Sequence, residues 1–498
     1  MPLPWPEASK LPFVPPAAPG PVLVEQPGGG GGGLSAAIEA HGLGASSIIL
    51  EADTKLGGAT ALSAGVFYAA GTSVQRARGI TNDTPDAMFE YVMTLNEWAL
   101  RPDLIRLMCD RSGETLEWLM KLGAEFPPEW LVCSGAESIP RGHPSKGAGG
   151  GIAEALINAA GALGIDTALG TRVQSLIIED GRVVGVHTKD LAHGNEMDLF
   201  APSVIIATGG FGNSPEMIRR LFPTAAYHGD RVWAVHDPAP FILGDGIKLG
   251  ESAGANIVGK DSGLLLPTSG FGKYVEAFLP PWIVLVNKEG RRFVSEVATY
   301  SVLGYLINEQ TEQRAFAIFD ETALTEASGN TKYSDPYNSG LPMPTWEREM
   351  ILDQVKTGKV KVGKSLAELS RQFGIDAVAL EETARLYSED CDAGCDSYFF
   401  KSAPKYFPIR NPPFYAIEVR ASIIGVTGSG LDIDRHARVL DQHQRPIPGL
   451  YAAGEVLGCI HGKRYAGGGM AIGNAVIFGR IAGQSAANES LSLNGKRE

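Results

Sequence analysis

Six consecutive glycines, Gly28 to Gly33, constrain the fold of this chain more than any other feature. The apolar run at residues 22–24 before them is typical of a short buried strand. Residues 34–41 after them have the apolar spacing and alanine content of a helix, and residues 47–50 are typical of a second buried strand. The sequence therefore predicts a strand–turn–helix–strand unit around the glycines.

The spacing of Gly28, Gly30 and Gly33 fits G-x-G-x-x-G, in which glycine permits a tight turn and lets backbone approach a pyrophosphate at a helix N-terminus. A flexible glycine-rich linker would satisfy the same spacing. Glu51 favours the nucleotide interpretation, because it ends the second strand, where a carboxylate can bind adenosine ribose hydroxyls. Residues 25–27 (Glu-Gln-Pro) fit poorly, since proline removes a backbone donor, and the first strand is expected to be short or distorted.

Length, charge and composition restrict the domain organisation and the classes of partner that this chain can have. A chain of 498 residues predicts two domains. A net charge of -13 disfavours nucleic acid and anionic membrane surfaces as partners. No apolar run predicts a membrane-spanning helix, and the proline-rich residues 1–20 lack the pattern of an export signal, so we expect an extended arm and a cytoplasmic protein. Five scattered cysteines, with Cys391 and Cys395 as the one close pair, predict neither a disulfide framework nor a metal site.

The pattern along the chain predicts an α/β protein with a discontinuous Rossmann-like domain and an inserted α+β catalytic domain. Strand alternation around the turn at residues 180–181 predicts a hairpin. The expected nucleotide domain covers residues 21–262 and 409–498, and the expected catalytic or substrate domain covers residues 263–408.

Three further segments are typical of backbone that passes close to a nucleotide. Residues 55–60 (Lys-Leu-Gly-Gly-Ala-Thr) follow Glu51 directly. Residues 207–210 (Ala-Thr-Gly-Gly) end a buried strand, and residues 449–455 (Gly-Leu-Tyr-Ala-Ala-Gly-Glu) do the same near the C-terminus. Each segment alone is an ordinary tight turn, but their order along the chain supports one nucleotide site.

These segments, with residues 244–246 (Gly-Asp-Gly) and 287–294 (Asn-Lys-Glu-Gly-Arg-Arg-Phe-Val), resemble the FAD-dependent fumarate reductase and 3-ketosteroid dehydrogenase superfamily. The resemblance covers roughly residues 20–490. It implies FAD as cofactor, with an inserted catalytic domain. The residues that it implies for FAD binding are Gly28, Gly30, Gly33, Glu51, Gly57, Gly58, Ala59, Thr60, Ser63, Gly65, Val173, Ala207, Thr208, Gly209, Gly210, Asp245, Gly454, Glu455, Gly469 and Ile472.

The branches of this superfamily differ at the reaction site. Dicarboxylate reductases carry arginines at the positions that match Tyr300 and Tyr465, and a histidine at the position of Val426. A substrate with two carboxylates needs cationic partners, so the absence of these cationic side chains argues against fumarate. The segment Tyr465-Ala-Gly-Gly-Gly469 is instead similar to the Y-A-G-x-G of the 3-ketosteroid Δ1-dehydrogenase branch.

That branch implies roles for three residues. The Tyr465 hydroxyl and the Gly469 N–H would hold a ketone oxygen and stabilise an enolate, and Tyr300 would take a proton from the α-carbon. Hydride would pass from the β-carbon to flavin N5, which gives an α,β-unsaturated ketone. A tyrosine base, with an ordinary pKa near ~10, needs assistance.

In the Δ1 branch a second tyrosine of the FAD domain assists. No tyrosine lies between Tyr91 and Tyr227, and Phe126 and Trp130 occupy the neighbourhood where it is expected. We therefore expect these two residues to line the substrate site, and a smaller cyclic ketone becomes an alternative to a steroid. Arg464 could then bind a carboxylate of an oxocyclohexanecarboxylate.

The leading functional prediction is an FAD-dependent desaturase of a cyclic ketone that passes electrons to an external acceptor, such as a quinone, a dye or oxygen. The alternative is an ene-reductase of an enone or enoate, in which electrons flow in the opposite direction, from the flavin to the substrate. A flavin-binding protein without turnover is the alternative from another class. Arg141 and His143 either line the flavin or lie on the surface.

Overall fold

The computed structural model describes residues 22–24, 28–276, 278–334 and 343–494. The predicted arm over residues 1–20 and the predicted distortion at residues 25–27 lie outside the described residues. The strands are β1 Val22–Val24, β2 Ser47–Glu51, β3 Val66–Tyr68, β4 Gly142–Pro144, β5 Asp166–Leu169, β6 Thr171–Glu179, β7 Arg182–Asp190, β8 Glu196–Phe200, β9 Ser203–Ile206, β10 Trp233–Ala234, β11 Ile257–Val258, β12 Gly263–Thr268, β13 Val284–Val286, β14 Ala315–Asp320, β15 Val360–Gly363, β16 Phe414–Thr427, β17 Gly430–Leu431, β18 Arg438–Leu440 and β19 Pro446–Ala452.

The helices begin with α1, which follows the glycine turn as the sequence predicts. They are α1 Gly31–Gly42, α2 Gly58–Leu62, α3 Ser73–Ala77, α4 Pro85–Leu95, α5 Pro102–Lys121, α6 Ala148–Ala162, α7 Pro215–Leu221, α8 Pro223–Ala226, α9 Asp245–Ser252, α10 Tyr300–Asn308, α11 Glu321–Glu326, α12 Thr331–Ser334, α13 Arg348–Lys356, α14 Leu366–Phe373, α15 Ala377–Ala393 and α16 Met470–Asn494. Among the helices of the described residues, none is long and apolar enough to cross a membrane.

The chain divides into two compact units. The first comprises the described residues up to 223, residues 236–264 and the described residues from 426 onward. Its main sheet has the order β18-β19-β9-β1-β2-β5. The pairs β19–β9, β9–β1, β1–β2 and β2–β5 are parallel, which is the Rossmann-like arrangement that the sequence predicts.

Glycines let helices α1 and α16 of this unit pack with their backbones in close approach. A Cβ on Gly479 would lie 2.3 Å from the Gly32 carbonyl oxygen, and one on Gly483 would lie 2.2 Å from the Ala36 carbonyl oxygen. Separations this short exclude any side chain. The predicted hairpin is also present, because strands β6 and β7 pair around Asp180 and Gly181, which have φ values of 49° and 76°.

The second unit comprises residues 224–235 and 265–425. Its sheet has the order β10-β16-β14-β13, and β12 and β15 also pair with β16. The unit therefore ends later than the predicted boundary at residue 409, because the 14-residue strand β16 pairs with β10, β14 and β15 rather than with the first sheet. A buried cluster that includes Val284, Phe316 and Ile318 packs helices α14 and α15 against this sheet.

Candidate active site

The parallel strands of the first unit place the predicted nucleotide segments at one edge of its sheet. The glycine turn follows β1, Glu51 ends β2, residues 207–210 follow β9, and residues 453–455 follow β19. The carboxyl ends of parallel strands share one edge, where nucleotides bind in open α/β sheets. Segments separated by hundreds of residues therefore meet because of the strand order.

The glycine turn leads directly into the N-terminus of α1. Gly31 N donates to the Thr60 hydroxyl (3.0 Å), and Gly57 N donates to the Gly29 carbonyl (2.7 Å). A Cβ on Gly31 would lie 2.8 Å from the Thr60 hydroxyl oxygen. The segment with Gly57 and Gly58 thus packs directly on the glycine run. The N-cap residue of α1 is Gly30, which has no side chain to cap the N–H groups of the first turn.

Glu51 has no solvent-exposed surface. Its two carboxyl oxygens accept from Gly29 N (3.1 Å) and Asp53 N (2.8 Å). Burial raises the pKa of Glu51 to about 7, although these backbone N–H groups oppose the shift. A buried carboxylate beside the glycine turn, with lone pairs left for hydroxyl donors, suits an adenosine ribose.

The segment after β9 lies against Glu455, which follows β19. One Glu455 oxygen accepts from both the backbone N and the hydroxyl of Thr427, each at 2.8 Å. A Cβ on Gly210 would lie 2.1 Å from the Thr427 hydroxyl and 2.3 Å from Glu455 Oε1, so only glycine fits there. Burial raises the pKa of Glu455, although the two hydrogen bonds from Thr427 oppose the shift.

Two buried polar side chains at this edge have unmatched atoms. His461 Nδ1 and Asn474 Oδ1 have no hydrogen-bond partner within the described part of the chain. Asn474 Nδ2 donates to the Gly454 carbonyl (3.0 Å) and lies 3.3 Å from His461 Nε2. Burial lowers the pKa of His461 to about 4, so the ring is neutral near pH 7. Buried polar atoms are normally paired, and a cofactor with polar ring atoms would pair these two.

The other residues predicted to bind FAD also lie in the first unit. Thr208 accepts from Gly246 N (3.2 Å), which ties the β9 segment to the start of α9, where Asp245 is the first residue. Val173 is buried on β6, and Ile472 is buried in the first turn of α16. A Cβ on Gly65 would lie 2.0 Å from the backbone of Ala148. The residues present fit a dinucleotide, and the role of each individual residue remains a prediction.

The segment 465–469, termed here the Tyr465–Gly469 turn, precedes α16. Tyr465 is buried, and its hydroxyl accepts from Ala471 N at 2.9 Å. Gly469 has a φ of 104°, and a Cβ there would lie 2.7 Å from Tyr68 N and 2.8 Å from the Val66 carbonyl oxygen. Glycine is required because the turn packs against the backbone of β3.

Tyr300 lies in the second unit, as the first residue of α10. It is half-buried, with its ring edge-on to Phe278 at 5.9 Å between centroids. Thr299 caps the helix by accepting from Ser301 N (3.4 Å). A Cβ on Gly304 would lie 1.8 Å from the Leu265 carbonyl oxygen, so α10 lies in close backbone contact with β12.

A buried ionic network surrounds Glu296, which lies four residues before Tyr300. Glu296 has no exposed surface and accepts from Arg292 (2.9 and 3.0 Å), Leu285 N (2.9 Å) and Lys401 (3.1 Å). Arg292 also donates two hydrogen bonds to Asp396, at 3.0 and 2.8 Å. Burial alone would raise the pKa of Glu296, but the Lys401 and Arg292 cations hold it below its ordinary value. The network fixes the backbone that leads to the helix with Tyr300.

The residues predicted to bind substrate lie in different environments of the first unit. Phe126 is buried, and Trp130 is exposed. The Arg464 guanidinium contacts Glu97 (2.8 Å) and donates to the Leu95 carbonyl (3.2 Å), so a substrate carboxylate would compete with Glu97. Their contact with a substrate remains a prediction.

Arg141 and His143 are buried, so the surface alternative for them is wrong. Arg141 makes an ion pair with Asp83 (2.6 Å). His143 Nε2 lies 2.9 Å from the Thr72 hydroxyl and Nδ1 lies 2.7 Å from the Arg141 carbonyl, and burial lowers its pKa to about 4. Both residues stabilise the surroundings of β3 and β4.

Comparison with known proteins identifies the superfamily. Residues 28–472 match the family described as "FAD binding domain". Over 473 residues the chain is 33% identical to "Fumarate reductase (cytochrome)" of Shewanella frigidimarina, covering 93% of this chain and 76% of that protein. The chain belongs to the FAD-dependent fumarate reductase and 3-ketosteroid dehydrogenase superfamily. It is an FAD-dependent oxidoreductase, and the predicted cofactor and fold class are confirmed.

Other similar proteins include both reductases and dehydrogenases. "Urocanate reductase" of Eggerthella lenta is 30% identical over 469 residues, covering 92% of this chain and 73% of that protein. The structure of 3-ketosteroid-delta4-(5alpha)-dehydrogenase from Rhodococcus jostii RHA1 is 27% identical, with a TM-score of 0.74, and the match covers 94% of this chain and 96% of that one. These similarities establish the superfamily but do not identify the substrate, which is inferred below from the residues of this chain.

The sequence reasoning missed Tyr91, which lies upstream of the stretch where an assisting tyrosine was sought. Its hydroxyl donates to the Ala466 carbonyl (2.6 Å) inside the Tyr465–Gly469 turn. Tyr68 packs on the same turn, where a Cβ on Gly467 would lie 2.6 Å from its ring. Neither contact leaves a local signal, because Tyr91 and Ala466 are 375 residues apart.

Proposed function

We propose that the protein is an FAD-dependent dehydrogenase that introduces a C=C bond next to the carbonyl of a cyclic ketone. The observation that carries this proposal is the Tyr465–Gly469 turn, a neutral donor site with a buried tyrosine and an obligatory glycine. Positions 300, 426 and 465 hold tyrosine, valine and tyrosine, whereas two carboxylates would need cations. An uncharged carbonyl oxygen matches hydroxyl and N–H donors.

Each residue has one role in the proposed reaction. The Tyr465 hydroxyl and the Gly469 N–H hold the ketone oxygen and stabilise the negative charge that develops there when the α-proton leaves. Tyr300 accepts that α-proton. Bound FAD supplies the acceptor for the hydride that leaves the β-carbon. The products are an α,β-unsaturated ketone, one proton and a reduced cofactor, whose two electrons pass to an external acceptor.

A reductase of an enone or enoate is the second candidate, with the same bonds made and broken in reverse. It is favoured by the relatives, since proteins named as fumarate and urocanate reductases are 30% or more identical to this chain. A 3-ketosteroid, 4-oxocyclohexanecarboxylate, fumarate and urocanate therefore form the first screen, with oxidised dye for the ketones and reduced dye for the alkenes. Turnover of fumarate alone would contradict the proposal.

Tyr300→Phe tests the base. The variant should retain FAD, because Tyr300 lies outside the unit that contains the nucleotide segments, and should lose most ketone turnover, about 10²-fold or more. Tyr305→Phe is the matched control, because Tyr305 is half-buried on the same helix. Normal turnover in Tyr300→Phe would remove this residue from the mechanism.

A further inference from the structure

A second segment of the first unit lies alongside the Tyr465–Gly469 turn. Gly135 and Gly467 form an antiparallel bridge. Gly468 N donates to the Ser134 carbonyl (2.9 Å), and the Ser134 hydroxyl donates to the Gly468 carbonyl (2.9 Å). A Cβ on Gly135 would lie 1.9 Å from the Ala466 carbonyl oxygen, so the two backbones are in contact.

Tyr91, on helix α4, joins these two segments through one hydroxyl. It accepts from Ala136 N (2.9 Å) and donates to the Ala466 carbonyl (2.6 Å). Glu137 completes the arrangement, because its carboxyl group accepts from Ser134 N (2.7 Å) and lies 3.3 Å from the Tyr91 hydroxyl. Burial raises the pKa of Glu137, although the hydrogen bonds that its carboxyl group accepts from Ser134 N and the Tyr91 hydroxyl oppose the shift.

The turn needs such a brace because three of its five residues are Gly467, Gly468 and Gly469. Glycine loses more conformational freedom on ordering than any other residue, so a glycine-rich turn does not fix its own geometry. Donors to a developing negative charge must lie within about 0.5 Å of the productive position. A displacement of about 1 Å can cost about 10²-fold in rate.

We propose that Tyr91 is a positioning residue for the Tyr465–Gly469 turn. Its hydroxyl holds the Ala466 carbonyl, which belongs to the peptide between Ala466 and Gly467 in the turn, and so sets the direction of the Tyr465 hydroxyl and the Gly469 N–H. The kinetic consequence rests on the proposed function, since it requires a ketone oxygen at these donors. The structural consequence is independent of the substrate.

The test compares Tyr91→Phe with Tyr451→Phe in the FAD-loaded full chain. Both tyrosines lie in the first unit. Tyr91→Phe removes the hydroxyl that donates to Ala466 O (2.6 Å) and accepts from Ala136 N (2.9 Å), and Tyr451→Phe removes the hydroxyl that contacts Glu489 (2.6 Å) and Ser485 O (3.5 Å). Backbone hydrogen exchange of a peptide covering residues 463–471 should become faster in Tyr91→Phe and stay unchanged in Tyr451→Phe. Unchanged exchange in Tyr91→Phe overturns the inference, whatever the substrate is.

Kinetics provide the second measurement, with 4-oxocyclohexanecarboxylate or a 3-ketosteroid and an acceptor dye. Tyr91→Phe should lower kcat about 10- to 100-fold with a smaller change in KM, because the donors act most strongly on the transition state. FAD content and dye oxidation of the chemically reduced flavin should match the wild type. Normal kcat in Tyr91→Phe contradicts the inference. If the wild type is inactive on both ketones, the proposed function is contradicted, and the exchange measurement alone then tests whether Tyr91 holds the turn in place.

Ser134→Ala is the second variant if Tyr91→Phe does not fold. It removes only the hydroxyl bond to the Gly468 carbonyl, and Ser134 is half-buried, so the substitution leaves little unfilled space. As in Tyr91→Phe, backbone exchange of residues 463–471 should become faster and kcat should fall. An unchanged exchange rate there would likewise overturn the inference.

Discussion

Glu51 should make FAD binding depend on pH. The carboxyl group is completely buried, with a pKa of about 7 in place of 4.5, so half of the FAD-free protein carries a proton on Glu51 at pH 7. Two ribose hydroxyls donate best to the ionised form, because hydrogen bonds to a charged acceptor are the stronger ones. FAD binding therefore releases this proton and tightens as the pH rises toward 7. Each pH unit below 7 should weaken binding about tenfold, or about 1.4 kcal/mol.

The assay is a fluorescence titration of FAD into the deflavinated protein at several pH values from about 5.5 to 8.5. At the upper end of this pH range, Glu51→Gln should bind FAD about 10- to 100-fold more weakly than the wild type. Its FAD affinity should not change with pH below pH 7, because an amide does not ionise. Glu276→Gln is the matched control, since burial also raises the pKa of Glu276 to about 7, and Glu276 lies in the second unit. The reasoning fails if the wild type has no slope or if Glu51→Gln retains it.

The same pKa has a consequence for stability. A carboxyl group whose pKa is raised by folding prefers its proton in the folded state, so the FAD-free protein should lose stability as the pH rises from about 4.5 to about 7. Glu51→Gln should remove this component of the pH dependence, as chemical denaturation at pH 5 and pH 8 would show.

Three further substitutions, two of them paired with a control, test the packing and the ion pairs of the two units. Gly210→Ala should reduce the ratio of flavin to protein absorbance at least tenfold, because its Cβ meets Thr427 and Glu455 within 2.3 Å. Gly483→Ala should lower the free energy of unfolding by about 1–3 kcal/mol through its contact with the Ala36 backbone, whereas Gly161→Ala, with nothing within 4 Å in helix α6, should raise it by about 0.5–1 kcal/mol. Glu296→Gln should destabilise the protein by about 3–5 kcal/mol in denaturant titrations because Lys401 and Arg292 lose their shared anion, while Glu382→Gln on an exposed helix face should leave the midpoint unchanged.

The nucleotide half of the site could be predicted because each part carries a local signal. Hydrophobic periodicity predicts the strand and helix around the glycine run, and the acid at the end of β2 predicts a position for the ribose. The strand order then brings Glu51, Gly210 and Glu455 to one edge, as the parallel-sheet rule requires. Local pattern and topology therefore agree on where these segments lie, while the contact of each residue with FAD stays a prediction.

The surroundings of the Tyr465–Gly469 turn could not be predicted in the same way. The hydrogen bonds from Tyr91 and Ser134 to the turn span 375 and 334 residues, and no periodic pattern links such partners. Arg141 shows the same limit on a smaller scale, since its burial depends on Asp83, 58 residues away. A buried guanidinium requires an anion, but sequence alone does not specify which carboxylate provides it.

The groups that would hold the ketone do not determine the direction of the reaction. Donors at a carbonyl oxygen stabilise the same enolate-like transition state whether a proton and a hydride leave the substrate or are added to it. A reductase of S. frigidimarina and a dehydrogenase of R. jostii can therefore both resemble this chain without contradiction. In the proposed mechanism, the free energy of the electron partner separates the two directions, because a group that stabilises the shared transition state lowers both barriers equally. Under this proposal, the Tyr465–Gly469 turn would select the class of oxygen that binds, and the redox couple supplied to the flavin would select whether the C=C bond is made or removed.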